Sequence, residues 1–285
     1  MYATQEDWEQ ELKDISEIID RVAAFEGKAA GNAQNLFTVL ENLAKAGEKL
    51  DKAYNYAERL FDEDQTNTTH QAMSAKAYSA YASCGSKTAF VDPEIIAIPE
   101  NVLETFYKEV PGLELYRKQI AEIRRMKEHC LSSEMEKLLA MTAEMSQTPA
   151  DTFSILNNAD LVFPEIKDEN GESVRITHGR YGQFLQSSDR RVRKEAFEKL
   201  YQTYKQFLNT SASLYSGNIK QQVFHAKARK YVSSLECAVD ANHVSSSVYH
   251  NLIDTVNKNL DKMHHYVSLR KKCLKLDEMH MYDIY

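Results

Sequence analysis

Glycine and proline are the scarce residues of this chain, numbering 9 and 5 among 285, well under half the combined share of roughly 12% usual in globular proteins. The prolines are Pro93, Pro99, Pro111, Pro149 and Pro164, so the whole stretch after Pro164 has none. Proline removes a helix hydrogen bond, and glycine inside a helix costs about 1 kcal/mol relative to alanine. A chain poor in both is expected to be mainly α, built of long uninterrupted helices. Apolar runs near the ~20 residues of a membrane span are missing, and the polar start MYATQEDWEQELKD lacks the apolar stretch of a secretory signal. The four cysteines, Cys84, Cys130, Cys237 and Cys273, form no C-x-x-C pair, which fits thiols in a reducing compartment. A soluble, cytoplasmic protein is expected. Basic blocks are missing as well. The formal charge of −7 is spread along the chain, which argues against nucleic acid as a partner, because phosphate neutralisation needs clustered cations. The nearest approach is Arg190-Arg191-Val192-Arg193-Lys194, expected to be the solvated first turn of a helix.

Catalytic signatures are equally sparse. There is no Gly-x-Ser-x-Gly elbow and no glycine-rich phosphate loop, and the one cysteine with a neighbouring histidine is Cys130 beside His129. Helical neighbours diverge, so that pair is expected to be one buried and one exposed residue. A zinc peptidase needs two imidazoles one helical turn apart and a carboxylate to activate water. None of the nine histidines has another four residues away, and His264 and His265 are adjacent, about 100° apart on a helix. Three Asp-x-x-His pairs occur, Asp240/His243, Asp261/His264 and Asp277/His280. A carboxylate-bridged metal site would need further glutamates from two more helices, so polar surface or cap contacts are the expectation.

Apolar periodicity is what the chain does have. Trp8, Leu12, Ile15, Ile19 and Val22 make a stripe every three or four residues, ended by Gly27 and Gly31. A second helix should begin near Asn32 and run through Leu36, Leu40, Leu50 and Phe61 to the polar DEDQTNT, followed by a third through Met73, Tyr78 and Tyr81. Short helical pieces are expected between Pro93 and Pro111, and then a helix bearing Leu115, Ile120 and Ile123. Ser133 with Glu136 reads as a capping box, and Thr148-Pro149 with Asp151 as a helix start. Leu161–Ile166 and Val174–Thr177 read as strands turned by Asn170-Gly171, making a hairpin over 161–177. Gly179 and Gly182 fit turn geometry. Ser188 should cap, and Asp189 stabilise, a helix through Ala196, Phe197, Leu200 and Tyr204, and a last long helix should run from Ser245 and Ser246 through Val248, Leu252, Val256, Leu260 and Met263 to Leu274. Prolines vanish near 178–188, so a domain boundary is expected there, giving 1–185 and 186–285. The apolar ending Met281, Tyr282, Ile284 and Tyr285 has no terminator, as if cut from a longer polypeptide.

The segments NADLVFPEIKDENGE, SSDRRVRKEAFEKLY, GNIKQQVFHAKARKYVSSLECAV and the tail HMYDIY resemble, in order, parts of the oligoendopeptidase F family of thimet-oligopeptidase-like zinc peptidases. The resemblance implies an antiparallel helical N-terminal domain with one small hairpin, forming a channel wall, followed by the first helices of a helical peptidase domain. It implies hydrolysis of short peptides by the complete enzyme, with zinc and the general-base glutamate supplied beyond the equivalent of Tyr285. On that reading no catalytic or metal residue lies in this chain, no zinc binds it alone, and its partner is the missing catalytic half. A phenol offers an apolar face and a hydrogen bond, which makes Tyr201, Tyr204, Tyr215 and Tyr231 the channel candidates. The competing reading is a non-catalytic helical scaffold that binds peptides or partner helices.

Overall fold

A computed structural model describes residues 2–285. Helix α1, Gln5–Ala23, starts where Thr4 and Asp7 exchange capping bonds with each other's backbone N–H groups. Helix α2, Ala33–Glu63, is capped by Asn32, whose side chain accepts from the Asn35 N–H. Helix α3, Thr68–Thr88, is capped by Asn67. The three pack along one another because α2 shows small residues where α1 and α3 approach. Ala46, Ala53 and Ala57 are buried among Trp8, Leu12, Ile15, Met73 and Ala77. The Trp8 indole donates to the Ala53 carbonyl at 2.9 Å, so the largest side chain is buried with its polar atom satisfied.

Short helices follow: α4, Val91–Ala97; α5, Glu100–Glu109; a 3-10 turn, Pro111–Tyr116; and α6, Arg117–Arg125. They bury Ile95, Leu103, Phe106, Leu113 and Ile120 against Leu36, Val39 and Leu40 of α2. Glu94 of α4 accepts from the N–H groups of Gly27 (2.6 Å) and Ala30 (3.3 Å), tying down the bend after α1 where Gly27 takes φ +76°. At Gly112 a Cβ would lie 2.6 Å from the Phe37 ring, so a side chain there would force that ring to shift.

Helix α7, Ser133–Met141, and helix α8, Ala143–Ile155, differ from the sequence expectation. Ser132, not Ser133, caps α7 by accepting from the Met135 N–H. Glu136 is therefore not the back-bonding half of a capping box on Ser133. It is drawn instead to the Leu131 N–H and to a distant arginine. Thr148-Pro149 starts nothing, because Pro149 lies inside α8. The bond it cannot make would have gone to Met145, which is exposed and can be hydrated.

The fold divides into two compact units, Met1–Ile155 with Gln221–Tyr231, and Leu156–Lys220 with Val232–Tyr285. The second unit opens on a π-helical turn, Leu156–Asp160, and then the hairpin. Its strands are shorter than expected: β1 is Glu165–Lys167 and β2 Ser173–Arg175, antiparallel with Ile166 opposite Val174. Pro164 has no N–H to donate to a ladder, although its carbonyl accepts from Ile176. Gly171 takes φ +83°, and the Asp168 carboxylate accepts from the N–H groups of Asn170 and Glu172, so the turn is wider than a two-residue one. Gly179 and Gly182 sit inside helix α9, His178–Leu185, with no positive φ.

Helix α10, Arg190–Gln206, is capped by Asp189 rather than Ser188. Its face of Val192, Ala196 and Leu200 covers Phe163, Ile166 and Ile176 of the hairpin. The basic cluster at its start is solvated only in part: Arg191 and Lys194 are exposed, whereas Arg193 is buried. Arg191 donates to the carbonyls of Lys167 and Asp168, and Arg190 and Arg193 both hold the Asp283 carboxylate at 2.9–3.0 Å. Helices α11, Leu208–Ala228, and α12, Ser234–Asp240, follow. The expected last long helix is two, α13, Ser246–Lys258, and α14, Leu260–Cys273. Asn259 breaks it by turning its amide back onto the Thr255 carbonyl. The apolar stripe expected there is exposed: Val248, Leu252, Val256 and Met263 are each more than half exposed, at 53–60%.

Asp283 is buried, with 1% exposure. Burial alone would raise its pKa, but hydrogen bonds from Arg190, the His280 N–H and Arg193 outweigh it and hold the group at about 2, below the ordinary 3.8. A carboxylate depressed on folding stabilises the native state above its unfolded pKa and loses that contribution as pH falls. We expect Asp283→Asn to cost about 3 kcal/mol at pH 7, and the gap to the parent protein to close between about pH 4 and pH 2, read from urea unfolding at stepped pH. A gap constant across that range would refute the clamp.

Candidate functional site

In the first unit, α3, α4, α6, α7, α8 and the end of α11 surround a cavity of about 600 Å³. The charged residues of its lining are Asp92 on α4, Glu136 on α7 and Arg229 just past α11, with His225 of α11 and Cys130 beside them. Arg229 meets Glu136 with two parallel bonds of 2.9 and 2.8 Å, the fork geometry that makes arginine–carboxylate pairs strong. Glu136 also accepts from the Leu131 N–H at 2.9 Å. A second contact backs the pair. The His129 ring stacks on Tyr231 at 3.6 Å and 7°, and its Nδ1 lies 2.8 Å from the Arg229 carbonyl. Lys230 between them takes φ +61°, a strained conformation for a residue with a side chain, held by contacts on both sides.

Asp92 is solvent-exposed within the cavity. The surrounding protein nonetheless strips enough water to raise its pKa, and Glu136 adds to the rise while Arg229 opposes it. Burial, helped by Arg229, lowers the pKa of His225, which favours the neutral ring. Burial and the nearby carboxylates push the Cys130 thiol up to about 11, so it is protonated at neutral pH and no nucleophile.

A second cleft of about 660 Å³ lies among α2, α3 and α8. It carries the carboxylates of Glu58, Asp62, Glu144 and Asp151 and the rings of Tyr54 and Tyr78, without a lysine or arginine in its lining. Burial first, then neighbouring carboxylates, raise both phenols. Glu58 accepts from Ser74 and Asp62 pairs with Arg59, so part of that charge is already met.

The four tyrosines singled out by sequence are not gathered at either cavity. Tyr201 and Tyr215 are exposed on α10 and α11, at 53% and 69%. Tyr204 donates to Asn157 at 2.6 Å and packs on Phe163, while Tyr231 is buried under His129. The Asp-x-x-His pairs do not converge either. Asp261 and His264 are exposed on α14, His243 lies in the turn after α12 with its N–H on the Asp240 carbonyl, and His280 stacks on Tyr282. Asp92, Glu136, His225 and Arg229 were not among the sequence candidates. Glu136 carried only a local capping signal, and nothing local ties it to an arginine 93 residues on.

The Glu136–Arg229 pair generates a prediction. Glu136→Ala leaves a guanidinium that is 32% exposed without its partner, so the loss should be about 2 kcal/mol, less than for a fully buried pair. The double variant Glu136→Leu with Arg229→Met should recover most of it. Denaturant unfolding of the parent, Glu136→Leu, Arg229→Met and the double variant measures the coupling, and a value near zero would show that the pair ties nothing.

A sequence profile described as Oligopeptidase F matches residues 94–163, and one described as Peptidase family M3 matches residues 183–285. Over the full 285 residues the chain is 41% identical to oligopeptidase PepF of Bacillus subtilis and 38% identical to group B oligopeptidase PepB of Streptococcus agalactiae, covering 42% and 47% of those proteins. It superposes with a TM-score of 0.94 on the crystal structure of oligoendopeptidase-F from Enterococcus faecium, at 39% identity, over 98% of this chain and 54% of that one. The chain thus spans about half the length of the curated relatives it matches. These matches run through the hairpin and the arginine-bearing helix that carry the resemblance in the sequence, and the chain belongs to the oligoendopeptidase F family.

Proposed function

We propose that this chain is the N-terminal portion of a zinc-dependent oligoendopeptidase, and that it shapes the passage by which short peptides reach bond-cleaving residues outside it. The observation that carries the reading is the pairing of full-length similarity to oligopeptidases about twice as long with a donor set that does not suit zinc. Among the described residues no three His, Cys, Asp or Glu side chains converge on a point, and no two histidines stand four apart in the sequence. The imidazole pair that a catalytic zinc requires is therefore assigned to residues beyond this chain, and no step of the hydrolysis is placed on the residues present.

In this reading residues 1–185 form the channel-wall domain and 186–285 open the peptidase domain. Tyr201 and Tyr215, whose rings are exposed, keep the role of peptide-facing residues. Tyr204 and Tyr231 serve packing within their own units, Tyr204 on Asn157 and Phe163 and Tyr231 under His129. The exposed apolar face of α13 and α14 is the surface on which following polypeptide would pack, since contiguous apolar area of that kind is seldom left to water.

The test is direct. The purified 285-residue protein is expected to bind peptides of about ten residues, to hold far less than one zinc per chain after desalting, and to leave a fluorogenic peptide uncut. Adding the polypeptide encoded after residue 285 should bring hydrolysis with it. Stoichiometric zinc on the 285-residue protein, or hydrolysis that survives removal of contaminating proteases, would overturn the assignment. Peptide binding with no downstream reading frame would favour a non-catalytic scaffold.

A further inference from the structure

The cavity beside α4 is one positive charge short. Of its three permanently charged lining residues, Glu136 and Arg229 cancel each other through their two-bond contact. His225 adds little positive charge, because burial and Arg229 favour its neutral ring. Asp92 is left over. Among the described residues no side chain hydrogen-bonds or ion-pairs with its carboxylate, and Glu136 repels it more than Arg229 attracts it. A carboxylate in a partly desolvated hollow is stabilised by an approaching cation far more than one on an open surface.

The rest of the wall suits a particular cation. Thr88 and Ser146 line the same cavity. The Thr88 hydroxyl already donates to the Cys84 carbonyl at 2.9 Å, so its oxygen is left to accept. The wall thus offers a carboxylate and two hydroxyl oxygens as acceptors, the kind of partner that the compact N–H donors of an ammonium take. Ile96, Ile123 and Leu139 supply apolar wall for whatever carries that ammonium. The volume, about 600 Å³, falls within the range of sites that enclose small ligands.

We propose that this cavity is a binding subsite for a primary ammonium group of a peptide, with Asp92 as its counter-ion. The inference rests on the peptide reading above and adds to it the place where a peptide's positive charge is held. That charge comes either from the peptide's own α-amino group or from a lysine side chain, and the experiment separates the two.

Calorimetric titration of the intact 285-residue protein would use three probes: Ala-Ala-Leu-Ala-Ala, its N-acetylated amide, and the N-acetylated amide with Lys in place of Leu. The free pentapeptide is expected to bind roughly ten- to a hundredfold more tightly than its acetylated amide, the worth of a hydrogen-bonded charge. Asp92→Asn, at a solvent-exposed position, should leave the thermal unfolding curve in place and erase that difference. Recovery of tight binding by the acetylated Lys peptide alone assigns the site to a side chain, whereas tight binding of the free amino terminus alone assigns it to the chain end. Equal binding of all three peptides to the parent and Asp92→Asn proteins would overturn the subsite while leaving the peptide reading intact. Failure of every peptide to bind would sink that reading and the subsite with it.

Discussion

A carboxylate withdrawn from water must find a cation, and this requirement ties the chain together over distances that helix packing alone does not specify. Among the described residues the buried acids are Glu136 and Asp283. Each is met by arginine from far along the chain, Arg229 at a separation of 93 residues and Arg193 at 90. In both cases the remaining lone pairs are taken by backbone N–H groups, those of Leu131 and His280. Apolar side chains slide past one another at small cost, but a buried ion pair missing one partner leaves a bare charge. The two pairs therefore set the register of each compact unit, while the alanine-lined contact of α1, α2 and α3 supplies apolar burial without such selectivity.

Physical scale explains which parts of this were legible in the sequence. The stripe from Trp8 to Val22 and the helix start near Asn32 are local, spanning a few turns of one helix, and the structure follows them. The hairpin turn at Gly171 is local too. Where a local signal competed with a distant partner, the partner won. Glu136 sits where a capping box would use it, yet its carboxylate goes to Arg229. Arg190 and Arg193 look like a solvated first turn until Asp283 is brought beside them. Pro149 resembled a helix start because the sequence does not reveal that Met145, one turn earlier, lies exposed, where water can replace the missing N–H.

The same contrast separates the two apolar stripes. Those of α1 and α2 are satisfied within the first unit, whereas that of α13 and α14 faces outward with Leu252 60% and Met263 58% exposed. Periodicity alone states that a helix has an apolar face. It does not state what covers that face, and for a chain about half as long as its oligopeptidase relatives the covering need not be among its own residues.

The cavity sites differ from the buried pairs in what they leave unmet. A pair such as Glu136–Arg229 is closed electrostatically and serves the fold. Asp92, three helices earlier in sequence and in the same hollow, is not closed, and burial with the nearby Glu136 raises its pKa. Asp92 is open to solvent, but on the wall of a cavity rather than on a convex surface, so fewer waters hydrate its charge. Its position also brings the like charge of Glu136 to bear on it, so an approaching cation would meet a carboxylate that nothing in the wall neutralises. Groups held at such a disadvantage are found where binding supplies the compensation, which is why the search for a ligand begins at Asp92 rather than at the larger but partly neutralised acidic cleft beside Tyr54.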